Sequence, residues 1–361
     1  MDTFDVELYA AMFGHDATAL VCNAQTRLEV WRAGPHAFPV TINAADWENS
    51  YVCSPFTHYI TCASEECDKL GNPVLRAGLR FFLRALGGWL KRADLNRCVH
   101  INNFLLSTNL YPDWDGTGVE ALHRRALAEH PARAIVFRSL NRTLNQPLIR
   151  VLMGLGYQLL PARRVWLLDG ARGAQVTGRT DFANDARLLP ASGLRCVAHE
   201  EFHDADLVRA ETLYGMLYLE KYSVHNPRFT AAFLRHCHQH NLFRFQGLRD
   251  AHGALVGVAG GFRRGRVITN SIFGYDTSLP RERGLYRILS HLVMREAVDH
   301  GWLLNLSAGA GRFKRTRGGR PEIEYSAVFH QHLPAVRRRP WRFLRWITER
   351  VAIPLIEKHD L

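Results

Sequence analysis

Residues 270–314 read NSIFGYDTSLPRERGLYRILSHLVMREAVDHGWLLNLSAGAGRFK, and the fold is decided there. Leu285, Ile288, Leu289, Leu292, Val293 and Ala297 recur at spacings of three and four. That spacing predicts a helix with one buried face, leaving Arg287, His291, Arg295 and Asp299 on the others. Gly301 is placed to end it. Before the helix, Val267 to Tyr275 is rich in β-branched and aromatic residues; after it, Trp302 to Leu306 is a short apolar run closed by Ser-Ala-Gly-Ala-Gly. Both read as strands, and a strand-helix-strand unit favours adjacent parallel strands. The turn entering the helix carries Arg281, Arg283 and Gly284. A glycine lets backbone approach a ligand closely, and the free N–H groups of a helix start attract an anion.

This arrangement resembles the acyl-CoA-binding core of the GNAT acyltransferase superfamily. The resemblance rests on Arg281-Glu282-Arg283-Gly284-Leu285-Tyr286, set against the family's Arg/Gln-x-x-Gly-x-Gly/Ala, with Tyr286 where the family has a small residue. It implies an acyl-CoA donor held by Tyr275, Arg281, Arg283, Gly284 and Tyr286. The next stretch, SAGAGRFKRTRGG followed by EIEYSAVFHQHLP, is similar to the Fem-type aminoacyl-transferases through Phe313, Lys314, Arg317 and Gly318. That second resemblance implies an aminoacyl-tRNA donor, which the net charge, the arginine-rich tail and Tyr286 also favour. Families of this build have two lobes, the first shaping the acceptor cleft. The implied fold is therefore α/β: two tandem GNAT-like lobes with mixed central sheets flanked by helices, over 1–190 and 191–335, followed by a basic amphipathic helix over 336–361.

Composition agrees with a globular chain of two such units. It has 361 residues, 47% of them hydrophobic and 22% charged. The formal charge of +12 comes mostly from arginine, which suits a phosphorylated cofactor, tRNA or an acidic membrane surface, or reflects a GC-rich genome that favours arginine codons. Seven cysteines are scattered with no Cys-x-x-Cys pair, and the first residues are acidic. We therefore expect reduced thiols in a cytoplasmic protein. No apolar run approaches the roughly 20 residues of a membrane span, so no integral membrane association is expected.

Along the chain, residues 1–60 mix short alternating runs with prolines and read as strands joined by loops. Asn72 to Ala93 has apolar residues at helical spacing with arginines beside them, a basic amphipathic helix. Cys98 to Tyr111 reads as a strand containing Asn102 and Asn103, whose amides bind either substrate backbone or a neighbouring strand. Val119–His130 is a helix, Ala134–Leu140 a strand, Gln146–Leu155 a helix and Tyr157–Asp169 strand-like. Gly170 to Gly193 has the Gly, Asp and Asn content of a linker. A second unit follows, with helices over 204–222 and 229–240 and a hairpin over 243–262.

Acyl transfer to an amine needs a deprotonated nucleophile, a stabilised oxyanion and a proton for the leaving group. Lys314 is the first candidate, to hold phosphate or polarise the acyl carbonyl. Glu324 as base or Tyr325 as acid are next; adjacent strand residues face opposite ways, so one of the two can reach a given cleft. Glu220, Lys221, Tyr222 and Asn226 crowd after a helix as acceptor-binding candidates, with Asn103 from the first lobe. No metal is expected, since His236, His238 and His240 splay around a helix. The partners expected are an acyl donor and a small amine acceptor, with tRNA in the Fem-type reading. A catalytically silent RNA- or membrane-surface-binding protein is the third alternative.

Overall fold

The computed structural model describes residues 4–14, 16–68 and 71–354. The β-branched runs form strands and the three-and-four spacings form helices. Eleven strands are present among the described residues: β1 Arg27–Ala33, β2 His36–Asn43, β3 Cys98–Ile101, β4 Ala134–Leu140, β5 Gln158–Asp169, β6 Arg195–Val197, β7 Phe243–Arg249, β8 Leu255–Arg264, β9 Val267–Tyr275, β10 Leu303–Asn305 and β11 Arg320–Phe329. They make one mixed sheet in the order β1-β2-β3-β4-β11-β5-β10-β9-β8-β7-β6.

Each half of the chain repeats one plan. An antiparallel run leads through a helix, Val119–Glu129 or Leu285–Asp299, into a parallel neighbour: β4 beside β3, β10 beside β9. A second helix, Arg142–Gly154 or Gly311–Thr316, then leads to a long strand. That strand crosses over. β11, from the C-terminal half, lies antiparallel between β4 and β5; β5, from the N-terminal half, lies antiparallel between β11 and β10. The halves are thus joined through their own strands. One apolar core is also shared between them, with Tyr9 and Phe104 packed against Phe233, Phe243 and Phe262.

The helix Leu285–Asp299 buries Leu285, Ile288, Leu289, Val293 and Ala297 as its spacing predicts, and Gly301 takes a left-handed φ of +65° beyond its end. Two expectations are corrected. Only Cys98–Ile101 of the stretch to Tyr111 is strand. Asn102 turns left-handed at φ +60°, and the buried segment after it is held by side-chain amides: Asn102 Nδ2 donates to the Leu110 carbonyl at 3.0 Å and Asn109 Oδ1 accepts from the Phe104 N–H at 3.0 Å. These bonds replace the ladder. Nor is 170–193 a linker. It forms short helices, including Thr180–Ala186, that bury Val176 and Phe182 in the same cluster as Leu289 and Val293.

At the C-terminus the helix Ala335–Ile347 buries Trp341 and Leu344 beside Leu86 and Leu90 of the helix Pro73–Arg92. Of the basic terminal segment expected over 336–361, residues 355–361 lie outside the described residues.

Gly274 of β9 faces the helix Asp204–Tyr214 so closely that a Cβ would lie 2.5 Å from the backbone nitrogen of Tyr214. No side-chain rotation relieves a contact with backbone. Gly274→Ala is expected to cost about 1–3 kcal/mol, the usual penalty of overpacking a filled interior, read as a lowered urea midpoint with an unchanged slope.

Candidate functional site

β10 pairs with β9 over only three residues, Leu303 to Asn305. The chain then stays with β5, where Leu306 N–H donates to the Trp166 carbonyl at 2.8 Å and Trp166 N–H to the Ser307 carbonyl at 3.2 Å. β9 meanwhile runs on to Tyr275. The two parallel strands therefore splay. Left-handed φ values at Ser307 (+59°), Gly309 (+76°) and Ala310 (+50°) turn the chain away into the helix Gly311–Thr316. Two of those positions are not glycine, which costs conformational energy and marks the turn as held by its surroundings.

A cavity of about 300 Å³ fills the splay. Asn270 and Phe273 of β9 form one wall and residues 304–310 the other; Val293 and Met294 of the helix Leu285–Asp299 line it, and Tyr218, Arg163 and Lys314 complete it. Beside it, a groove of about 430 Å³ follows the turn from Asp276 to Arg287. Cavity and groove share Tyr222, Tyr286 and Ala310 in their linings.

Tyr275, Arg281, Gly284 and Tyr286, together with Lys221 and Tyr222, line the groove. Arg283 is in the same turn but does not line it. Gly284 has φ +67° and is the N-cap of the helix Leu285–Asp299, where a side chain would be strained. Asn226 lines the cavity, yet its Nδ2 donates to the Tyr218 and Ser223 carbonyls at 3.1 and 3.0 Å, which ties its own loop. Glu220 is exposed and lines neither space. Asn103 is buried away from the cavity, donating to Thr41 Oγ1 at 2.8 Å and to the Val52 carbonyl at 3.0 Å.

Lys314 is 5% exposed and lines the cavity. Its Nζ donates to the carbonyls of Leu306 (2.7 Å), Ser307 (3.2 Å) and Ala308 (2.8 Å). An ammonium has three protons, so all of them are committed to the splayed segment. Burial, with Arg163 a smaller influence, pushes this ammonium down to about 7, while the three acceptors favour its charged form.

Adjacent residues on β11 divide as alternation requires. Glu324 is buried and accepts from Arg163 Nε at 2.8 Å, while Arg163 also donates to the Ser107 carbonyl at 2.6 Å and Thr108 Oγ1 at 2.8 Å. Of this pair it is Arg163 that lines the cavity. Tyr325 points the other way and packs on the core around Leu152 and Phe329. Sequence reading passed over Arg163, whose signal was a pair of cations, Arg163 and Arg164, in the middle of a largely apolar strand. It also passed over Asn270, whose Oδ1 and Nδ2 are both buried without a hydrogen-bond partner while the residue lines the cavity. Burial pushes the Tyr286 hydroxyl up to about 12 and the Tyr218 hydroxyl up as well, so both stay protonated donors at neutral pH.

Two variants test this geometry. Glu324→Gln leaves the Arg163 guanidinium buried without its carboxylate and is expected to cost about 3–5 kcal/mol, whereas the paired change to Met at both positions loses less; urea unfolding of the three chains measures it. For Lys314 the sign follows from a lowered folded value. Between about 7 and the ordinary 10.5, the unfolded chain binds a proton that folded Lys314 has released, so stability rises with pH across that window. Wild type should therefore gain on Lys314→Met as pH is raised, and parallel stability curves would contradict the shift.

Residues 178–315 match the family model of an acetyltransferase (GNAT) domain. No curated protein matches the chain in sequence. Among solved structures, L-PGS from Bacillus licheniformis is similar over 95% of this chain and 93% of its own, with 9% identity and a TM-score of 0.53. The C-terminal domain of a putative lysylphosphatidylglycerol synthetase from Agrobacterium fabrum aligns over 64% of this chain and 78% of its own, at 15% identity and a TM-score of 0.46. FemX aligns over 59% and 77%, at 10% identity and a TM-score of 0.46. The matched segment holds β9, the arginine turn, the helix after it and β10, so the match to the GNAT domain model falls on the part of the chain that builds the splay, and the chain as a whole has a mixed α/β fold similar to that of L-PGS.

Proposed function

We propose that the protein is an N-acyltransferase that moves an acyl group from a thioester donor, an acyl-CoA or an acyl carrier protein, to an amine or hydroxylamine nitrogen. One observation carries this reading: an unpartnered buried amide, Asn270, lines a cavity in the splay of two parallel strands, beside a groove along an arginine turn and helix start. A phosphate-bearing donor suits the groove, where Arg281 and the N-terminus of the helix Leu285–Asp299 supply positive charge and N–H groups. A slender thioester arm then enters past Tyr222, Tyr286 and Ala310. In the cavity, Asn270 Nδ2 is free to donate to the acyl carbonyl, and β9 beyond Thr269 has an edge with no strand partner on the β10 side among the described residues.

The amine attacks the carbonyl carbon, a C–N bond forms, the C–S bond breaks, and the proton lost by the amine ends on the departing sulfur. Donors aimed at the developing oxyanion lower that barrier. Lys314 contributes by fixing the three carbonyls of 306–308 and by its positive charge against the cavity. Arg163 adds a second cation, and Glu324 orients it.

A second reading, transfer from aminoacyl-tRNA, draws on Tyr286. Its ring, 4.9 Å from that of Phe313, stands where the GNAT turn has a small residue over the pyrophosphate.

Titration of the purified protein against acetyl-CoA and against charged tRNA at two salt concentrations separates the readings. Saturable acetyl-CoA binding, displaced by CoA, is expected. Binding of tRNA that weakens steeply with salt, without CoA binding, would replace the thioester by the tRNA donor.

A further inference from the structure

The helix Pro73–Arg92 carries two apolar stripes, and only one of them is used. Leu83, Leu86 and Leu90 pack against Phe56, Ile60, Trp341 and Leu344. On another side, Val74 and Phe81, seven residues apart, share a face, and Leu75 and Phe82 repeat that spacing beside them. These four are 80%, 73%, 53% and 38% exposed in that order. Isolated exposed apolar residues are ordinary, but four on one stretch of helix form a patch that calls for a covering partner. The helix contains five cations, Arg76, Arg80, Arg84, Lys91 and Arg92, and no acid. Across the Trp89–Phe343 ring contact, 5.6 Å between centroids, lies the helix Ala335–Ile347. It adds five arginines, again with no acid, and Trp346 at 55% exposure.

We propose that this two-helix surface docks the protein on a membrane face rich in anionic phospholipid, with Val74, Leu75, Phe81 and Phe82 entering the acyl boundary and the arginines on the headgroups. Charge chooses the occupant. The two helices hold ten cations and no acid; Arg80 and Arg345 are ion-paired to Asp68 and Glu349 outside them, and the eight that remain give a net positive surface that would repel a second copy of itself. Nucleic acid would satisfy the arginines but gives Val74 and Leu75 nothing to enter, since bases stack on rings rather than on aliphatic side chains. An anionic bilayer accommodates both, through apolar burial and through about 1 kcal/mol for each Lys or Arg near its surface. The attachment is peripheral: no helix among the described residues is long and apolar enough to cross a membrane.

Co-sedimentation with vesicles of phosphatidylcholine alone, and of phosphatidylcholine mixed with phosphatidylglycerol, tests this on the full chain. Binding is expected only to the anionic vesicles and is expected to weaken with added salt. Val74→Ser/Phe81→Ser, at positions so exposed that the fold is indifferent to them, should lower vesicle affinity about tenfold or more with the urea midpoint unchanged. Three results would overturn the proposal: vesicle binding untouched by that double variant; binding to single-stranded RNA but not to vesicles; or a dimer in sedimentation equilibrium that the double variant dissociates while vesicles bind neither chain.

Discussion

The ladder between β5 and β11 is the constraint from which the rest of the molecule follows. It runs antiparallel from Arg320 opposite Leu167 to Val328 opposite Gln158, and each strand belongs to the half of the chain opposite the neighbours it serves. Neither half completes its own sheet. Because β5 reaches into the C-terminal half, Trp166 is available to hold residues 306 and 307 by backbone bonds, and that attachment keeps the segment from following β9. The cavity is a consequence of the exchange. So is its charge, since the register sets Arg163 opposite Glu324 and brings the guanidinium into the wall. Such pairing is of long sequence separation, so loop closure must precede it and folding should be slow for the size of each half.

Much of this was legible in the residues. The three-and-four spacing from Leu285 to Ala297, the glycine at 301 and the flanking apolar runs fix a parallel strand pair and its helix, and two residues of the turn singled out at 281–284, Arg281 and Gly284, line the groove. Strand alternation also separates Glu324 from Tyr325 without a structure. What sequence periodicity could not express is where pairing stops. β10 ends after Asn305 because Ser307 and Ala310 adopt left-handed φ, a conformation for which neither residue type is a signal. Asn102 and Asn109 replace ladder bonds with side-chain ones, so an apolar run reading CVHINNFLLSTNLY passes for a strand when only its first four residues are one. The Gly- and Asp-rich stretch 170–193 misleads in the opposite sense. Its composition is that of a linker, but Asp185 is buried beneath Arg287 and Arg317, and Phe182 packs in one cluster with the helix Leu285–Asp299.

Lys314 illustrates the limit of reading a basic residue as a free one. In sequence it belongs to a run of cations after two glycines. In the fold it turns inward, and its three protons are all taken by the carbonyls of residues 306–308. The charge serves the loop first and the cavity through the loop. Its neighbour Arg163 is likewise bound on several sides, by Glu324, Ser107 and Thr108.

Asn270 stands against this pattern. The wall around it engages both of its cations, Lys314 and Arg163, whereas a neutral amide in the same wall has neither its oxygen nor its nitrogen engaged. An unpaired buried donor or acceptor costs about 1–3 kcal/mol, and a leucine at that position would remove the cost and fill space. The amide opposes stability at the place where β9 and β10 part and where the groove of the arginine turn adjoins. Local features that cost free energy without a structural return gather where a ligand repays them. A carbonyl entering between β9 and β10 would accept from Asn270 Nδ2, one of the two polar groups that the protein alone leaves unpaired.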